Sequence, residues 1–203
     1  MKIICIGRNY VAHAKELNNP LPTSPVFFMK PETALIFRNR PFFYPAFSNN
    51  IHYEVELVIK IKKNGRHIRQ EIAHTFYDEI GVGIDFTARD IQQKCKEKGL
   101  PWEPAKAFDG SAPVGKFISL EQFKDKPNIR FHLLKNGEKV QDGNSGLMIF
   151  SFDDIISYVS KFITLKSGDL IYTGTPAGVG PVAIGDKLQA FINGDELLKC
   201  EIK

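Results

Sequence analysis

The chain predicts a β-rich α+β fold, and three observations carry that expectation. Apolar runs of strand length, bounded by Gly, Pro, Asn and Asp, outnumber segments with helical period. The two kinds seldom alternate as strand–helix–strand, which argues against a doubly wound sheet. A chain of 203 residues, 43% hydrophobic and 25% charged, suits a single core and a single domain.

The elements follow in order. "KIICIG" reads as a short strand and "NYVAHAKEL" as a short helix, closed by the turn-rich "NNPLPTSP". "VFFMKP" and "TALIF" read as extended, and 38–50, with Pro41, Pro45 and "SNN", as loop and edge. "NIHYEVELVIK" (50–60) is a strand, "KNGR" carries a type I′ hairpin signal, and "EIGVGIDFT" is an apolar strand. "TARDIQQKCKEKG" is a helix, with Thr87 as its cap, Asp90 three residues on, Gly99 as its stop and Pro101 beyond. After a proline-marked loop come the strand "NIRFHLLKNG", the turn "KNGEK" and the helix "SFDDIISYVSKFI". "DLIYTGTPAGVGP" is a strand entering a glycine-rich loop, and "DKLQAFINGDELLKCEIK" closes the chain as a hairpin.

Composition excludes several classes. The net charge of +4 comes from scattered residues, with no basic stripe interleaved with aromatics, so nucleic acid is not an expected partner. No apolar run approaches the roughly 18 residues of a membrane span, and the run before Gly7 is too short for a signal-peptide core. Cys5, Cys95 and Cys200 are too scattered for a disulfide framework or a CxxC knuckle, which favours a reducing, cytoplasmic setting.

Within the strand 50–60, alternation puts Tyr53, Val55, Leu57 and Ile59 on one face and Glu54, Glu56, Val58 and Lys60 on the other. Two carboxylates roughly 6–7 Å apart at the backbone suit either a wet sheet face or a pair of metal ligands. Asp85, at a strand end, is either a helix cap or a third ligand; three carboxylates plus water and substrate oxygens describe a Mg²⁺ or Mn²⁺ site. His13 and Glu16 share one helix face, as a general base with its orienting carboxylate or as solvated surface. Lys106, between Trp102 and Phe108, is a buried cation or a surface lysine packing its stem. Thr175, in "YTGTPAGVG", lies in an anion nest or a tight turn.

"GRNYVAHAKEL", "FMKP", "HYEVEL", "GIDFTARDIQ", "GLPWEPAKAFD", "NGEKVQDGNSGLMIF" and "LKSGDLIYTGTPAGVGP" together resemble the fumarylacetoacetate hydrolase family, in its order and over essentially the whole chain. The likeness is to its small acylpyruvate hydrolase and oxaloacetate decarboxylase branch. It implies a mixed β-sheet roll over 1–203, with 1–45 as N-terminal strand and lid segment and 46–203 as metal-binding core. It implies Mg²⁺ or Mn²⁺ on Glu54, Glu56 and Asp85, a His13–Glu16 lid dyad, Lys106 beside the metal, and Arg89, Gln92 and Thr175 as substrate-binding residues. It further implies a homodimer that cleaves a C–C bond in 2,4-diketo acids and decarboxylates oxaloacetate. The rival readings are an isomerase or tautomerase of 2-hydroxy-dienedioic acids and a non-catalytic dimer that binds 2-keto acids.

Overall fold

The structure is a computed structural model, describing residues 1–17, 19–123 and 128–203. Asn18, which opens the expected turn after the first helix, and Pro127 lie outside the described residues.

A six-stranded sheet forms the frame. Its order is Val26–Lys30, Ile3–Gly7, Leu170–Tyr172, Val55–Ile61, Tyr77–Ile84, Ile118–Ser119. Ile3–Gly7 pairs parallel with Leu170–Tyr172, and every other pairing in this sheet is antiparallel. A second, wholly antiparallel sheet joins Glu138–Asn144, Arg130–Lys135, Lys187–Ile192 and Asp195–Glu201. Two small sheets complete the roll: Gly180–Pro181 with Ile51–Tyr53 and Thr87–Ala88, and Leu35–Ile36 with Ala112–Pro113. Helices are short, the longest being Arg89–Lys98 and Phe152–Val159. The mixed, β-rich α+β architecture expected from the sequence is the one observed.

The large sheet is covered on both faces. Val55, Leu57 and Ile59 join the main core with Phe131, Leu133 and Ile192 of the second sheet, while Val58 packs in a smaller cluster with Ile3, Cys5 and Tyr172. The face carrying Glu54, Glu56 and Val58 is therefore interior, and only Lys60 on it is partly exposed. Gly83 lets the sheet close here: a Cβ would sit 2.6 Å from the Tyr172 ring.

Two local expectations fail. Asn64–Gly65 does not make a hairpin turn; the strand ends at Ile61, and Gly65 instead exchanges backbone hydrogen bonds with Leu165 at 2.9 and 2.8 Å. Neither residue has the positive φ that a type I′ turn demands, and the chain passes through Gln70–Ala73 before the next strand. Thr87 does not cap the following helix. It is buried in strand Thr87–Ala88, the N-cap is Ala88, and Asp90 turns back to accept from Ser48 Oγ (2.6 Å) and Asn49 N (3.3 Å). The hydroxyl is drawn inward by the buried Lys106 ammonium at 2.5 Å.

Candidate functional site

The strand pairing itself assembles the carboxylates. Val55 pairs with Ile84 and Glu56 with Gly83, and the Asp85 N–H donates to Glu54 O at 2.8 Å. Glu54 lies at the break between Ile51–Tyr53 and Val55–Ile61, opposite Asp85. The three side chains are 5%, 2% and 1% exposed, and one oxygen of each lies within 4.8 Å of the others. The wet-face and helix-cap readings are thus both excluded.

Three cations answer them. Lys106 Nζ donates to Glu54 Oε2 at 2.8 Å and Asp85 Oδ2 at 2.7 Å. It hangs from the one-turn helix Glu103–Lys106, with Pro104 in its first turn, and lies over the Phe28 ring at 5.3 Å. Arg89 Nη2 meets Glu54 Oε1 at 2.6 Å and its Nη1 meets Gln92 Oε1 at 2.7 Å. Lys30, at the end of "VFFMK", ion-pairs Asp85 Oδ1 at 2.7 Å and donates to Ser111 O at 2.8 Å. That Asp85 oxygen is otherwise buried without an aligned hydrogen bond.

These contacts divide the carboxyls. Burial pushes Glu54 up, but Lys106 and Arg89, with His13 behind them, outweigh it and hold it below the usual range. Glu56 goes the other way. Burial raises it, Asp85 and Glu54 raise it further, and the Gly174 N–H at 2.8 Å and Lys106 offset only part. For Lys106, burial favours the neutral amine, but Asp85 and Glu54 dominate and its pKa is raised.

His13 is buried beneath the short helix Val11–Glu16 and lines the same cavity as the carboxylates. Its Nδ1 meets Glu16 Oε2 at 3.1 Å, and Glu16 Oε1 accepts from Gly178 N at 3.0 Å. The glycine-rich loop does receive anions, and they are the protein's own: Glu56 at Gly174 and Glu16 at Gly178. Thr175 lines the cavity, but its hydroxyl donates to Val55 O (2.8 Å) and accepts from Gln141 Nε2 (2.9 Å), so it shapes the wall. Arg89 and Gln92 line it as well. The Arg89 Nε–H is buried with no acceptor among the described residues.

Eight of the nine residues singled out from the sequence therefore border one cavity of about 40 Å³, and the ninth, Glu16, reaches it through His13. Sequence reasoning missed Lys30, Arg8 and Lys96. Lys96 carried a signal: with Arg89 and Gln92 it forms an i, i+3, i+7 stripe on one helix. Lys30, ending an apolar strand, was marked only by its place in "FMKP", with no role read for it.

The donor set fits a hard divalent cation: all ligand atoms are carboxylate oxygens, closely grouped and largely dehydrated. Glu56 in particular is raised by burial and by the neighbouring Asp85 and Glu54, and such an ion supplies the countercharge that it lacks.

A model of the fumarylacetoacetate hydrolase C-terminal domain matches residues 2–203. The chain is 43% identical over 201 residues to the mitochondrial oxaloacetate tautomerase FAHD1 of Bos taurus, covering 99% of this chain and 91% of that protein. It is 43% identical over 197 residues to the oxaloacetate tautomerase YcgM of Escherichia coli (97% and 90% covered). Among solved structures, fumarylpyruvate hydrolase from Pseudomonas aeruginosa in complex with Mn²⁺ and pyruvate superposes with a TM-score of 0.92 at 38% identity, covering 100% of this chain and 90% of that one.

Proposed function

The chain belongs to the fumarylacetoacetate hydrolase family, and from that premise we propose that it is a divalent-cation-dependent enzyme of enolisable 2-oxo acids whose main reaction is keto–enol tautomerisation of oxaloacetate. The observation that carries the reading is the gathering of Glu54, Glu56, Asp85, Lys106 and His13 around one small cavity. This order of readings differs from that drawn from the sequence, where C–C cleavage came first.

Glu54, Glu56 and Asp85 would hold Mg²⁺ or Mn²⁺. Bound there, the ion supplies a Lewis acid for a 2-oxo group. Arg89 and Gln92 would bind the acid's C1 carboxylate, through the unpaired Arg89 Nε–H and the Gln92 amide. His13 Nδ1 is held by Glu16, which leaves Nε2 to exchange the proton. In one direction that proton leaves C3, its electron pair becomes the C2–C3 double bond, and the 2-oxo oxygen is protonated. Lys106 keeps a fixed positive charge beside the developing oxyanion. The helix Val11–Glu16 shields the exchange from bulk water.

A second reading is cleavage of an acylpyruvate, favoured by the likeness to fumarylpyruvate hydrolase; there His13 would activate water instead. The experiment is a panel: decay of the oxaloacetate enol absorbance, CO₂ release from oxaloacetate, and acetylpyruvate cleavage, each with Mg²⁺, Mn²⁺ or EDTA. Tautomerisation is expected to be fastest and to fail in EDTA. No metal-dependent turnover of any of the three would overturn the proposal and leave a non-catalytic 2-keto-acid binder. We further place the enzyme in the cytoplasm as a homodimer. Support for these is the three free, buried thiols and the exposed apolar surface at Val11 and Leu147.

A further inference from the structure

Two cations at the cavity remain unexplained by the metal centre. Arg8 and Lys96 both line it, and among the described residues neither side chain makes a hydrogen bond or an ion pair. They are not needed to neutralise the carboxylates. Glu54 and Asp85 are already answered by Arg89, Lys106 and Lys30, and with Glu56 the three carboxyls are matched by three basic side chains. A divalent ion would leave the cavity strongly positive before Arg8 and Lys96 are counted.

Both are aimed by their backbones. Arg8 follows strand Ile3–Gly7 with φ of 62°, in the left-handed region that a side chain other than glycine rarely adopts. Such conformations persist where the surroundings enforce them and cluster at ligand sites. Lys96 lies one turn beyond Gln92, on the stripe of helix Arg89–Lys98 that faces the cavity. It is half-buried; burial, then Arg89 and Arg8, disfavours its charge, and Glu54 is too weak an offset.

We propose that Arg8 and Lys96 form an anion subsite that takes the second carboxylate of a dicarboxylic 2-oxo acid, and so select dianionic over monoanionic substrates. This rests on the functional reading above, with Arg89 and Gln92 taking the first carboxylate.

The test uses two stable 2-hydroxy acids that differ only in that carboxylate. Malate and lactate are titrated calorimetrically into the Mn²⁺-supplied protein and into its Arg8→Gln and Lys96→Gln variants. The parent is expected to bind malate at least about tenfold more tightly, and each variant to lose most of that preference, since a charge-assisted hydrogen bond is worth about 10–100-fold in affinity. Arg8→Lys should keep part of it. The ratio of kcat/KM for oxaloacetate over acetylpyruvate should fall about tenfold in the same variants. Lys96→Gln lies on a partly exposed helix face and keeps the test open should Arg8→Gln fail to fold. If the parent turns over neither acid, the functional reading fails while the malate preference still decides the subsite. Equal binding of malate and lactate by the parent, or the preference kept in both Gln variants, overturns the subsite.

Discussion

Lys106 lies 2.8 Å from Glu54 and 2.7 Å from Asp85, so replacing it alters three charges at once. Lys106→Met keeps the length and removes the charge. Turnover should fall about 10²–10³-fold, as for a lost oxyanion donor. The metal-free variant should also lose about 1.5–3 kcal/mol, because Glu54 is left with Arg89 alone and Asp85 with Lys30 alone. Excess Mn²⁺ should recover much of that loss, and melting curves with and without the ion check it. A variant that melts like the parent without metal would mean the carboxylates have relaxed to water. At this scale the sequence was legible where a period of two applies: Glu54 and Glu56 had to share a face. Asp85 was legible as a strand end. What could not be read was solvent. The same alternation describes a wet face or a buried one, and only the second cluster around Tyr172 decides.

Elements divide in the same way. Three Asn-Gly pairs occur, and two make the turns their chemistry favours. Asn136–Gly137 has φ of 54° and 87°, and Asn193–Gly194 has 48° and 98°. Asn64–Gly65 does not, because Leu165 and Ser167 recruit its backbone and side chain. A distant partner outbid a local preference, which no local pattern announces. The Asn136 turn is pinned by Asp186, which accepts from Ala183 N (2.8 Å) and Asn136 Nδ2 (2.7 Å). Burial raises this carboxyl, but those donors and Lys135 outweigh it and leave it below its ordinary value. A carboxyl depressed by folding stabilises the protein above its unfolded pKa of about 3.9, and that stability fades as pH falls through the lower folded value. Asp186→Ala should therefore cost about 1–2 kcal/mol at pH 7, and the gap to the parent should narrow below about pH 4. Urea denaturation at pH 7 and pH 3.5 measures both. The helix Val11–Glu16 yields a kinetic expectation. His13→Ala should lower tautomerisation about 10²–10⁴-fold, the usual worth of a general base. Oxaloacetate decarboxylation, which removes no proton from carbon, should fall less. Glu16→Ala should follow more mildly, and equal losses in both reactions would mean that the helix serves closure alone.

For the whole molecule, the family likeness made the roll legible, whereas the order of strands was not, since register and neighbours are set by tertiary packing. The same packing couples the centre to global stability. Metal at a hundred times its dissociation constant should add about 2.7 kcal/mol, seen as a rise in melting temperature with Mg²⁺ or Mn²⁺. Glu56→Ala should abolish that rise; a rise that survives would place the ion elsewhere. The parallel pairing of Ile3–Gly7 with Leu170–Tyr172 has a consequence for synthesis. The first strand made is an interior strand, and its neighbour is translated near the end. On the ribosome that apolar strand can pair early with Val26–Lys30, but its other edge stays open until residues 170–172 emerge, and long-range pairing of this kind is slow and exposed to aggregation. Glu56 meets its Gly174 N–H donor only then, so the last backbone contact of the carboxylate cluster forms late in synthesis.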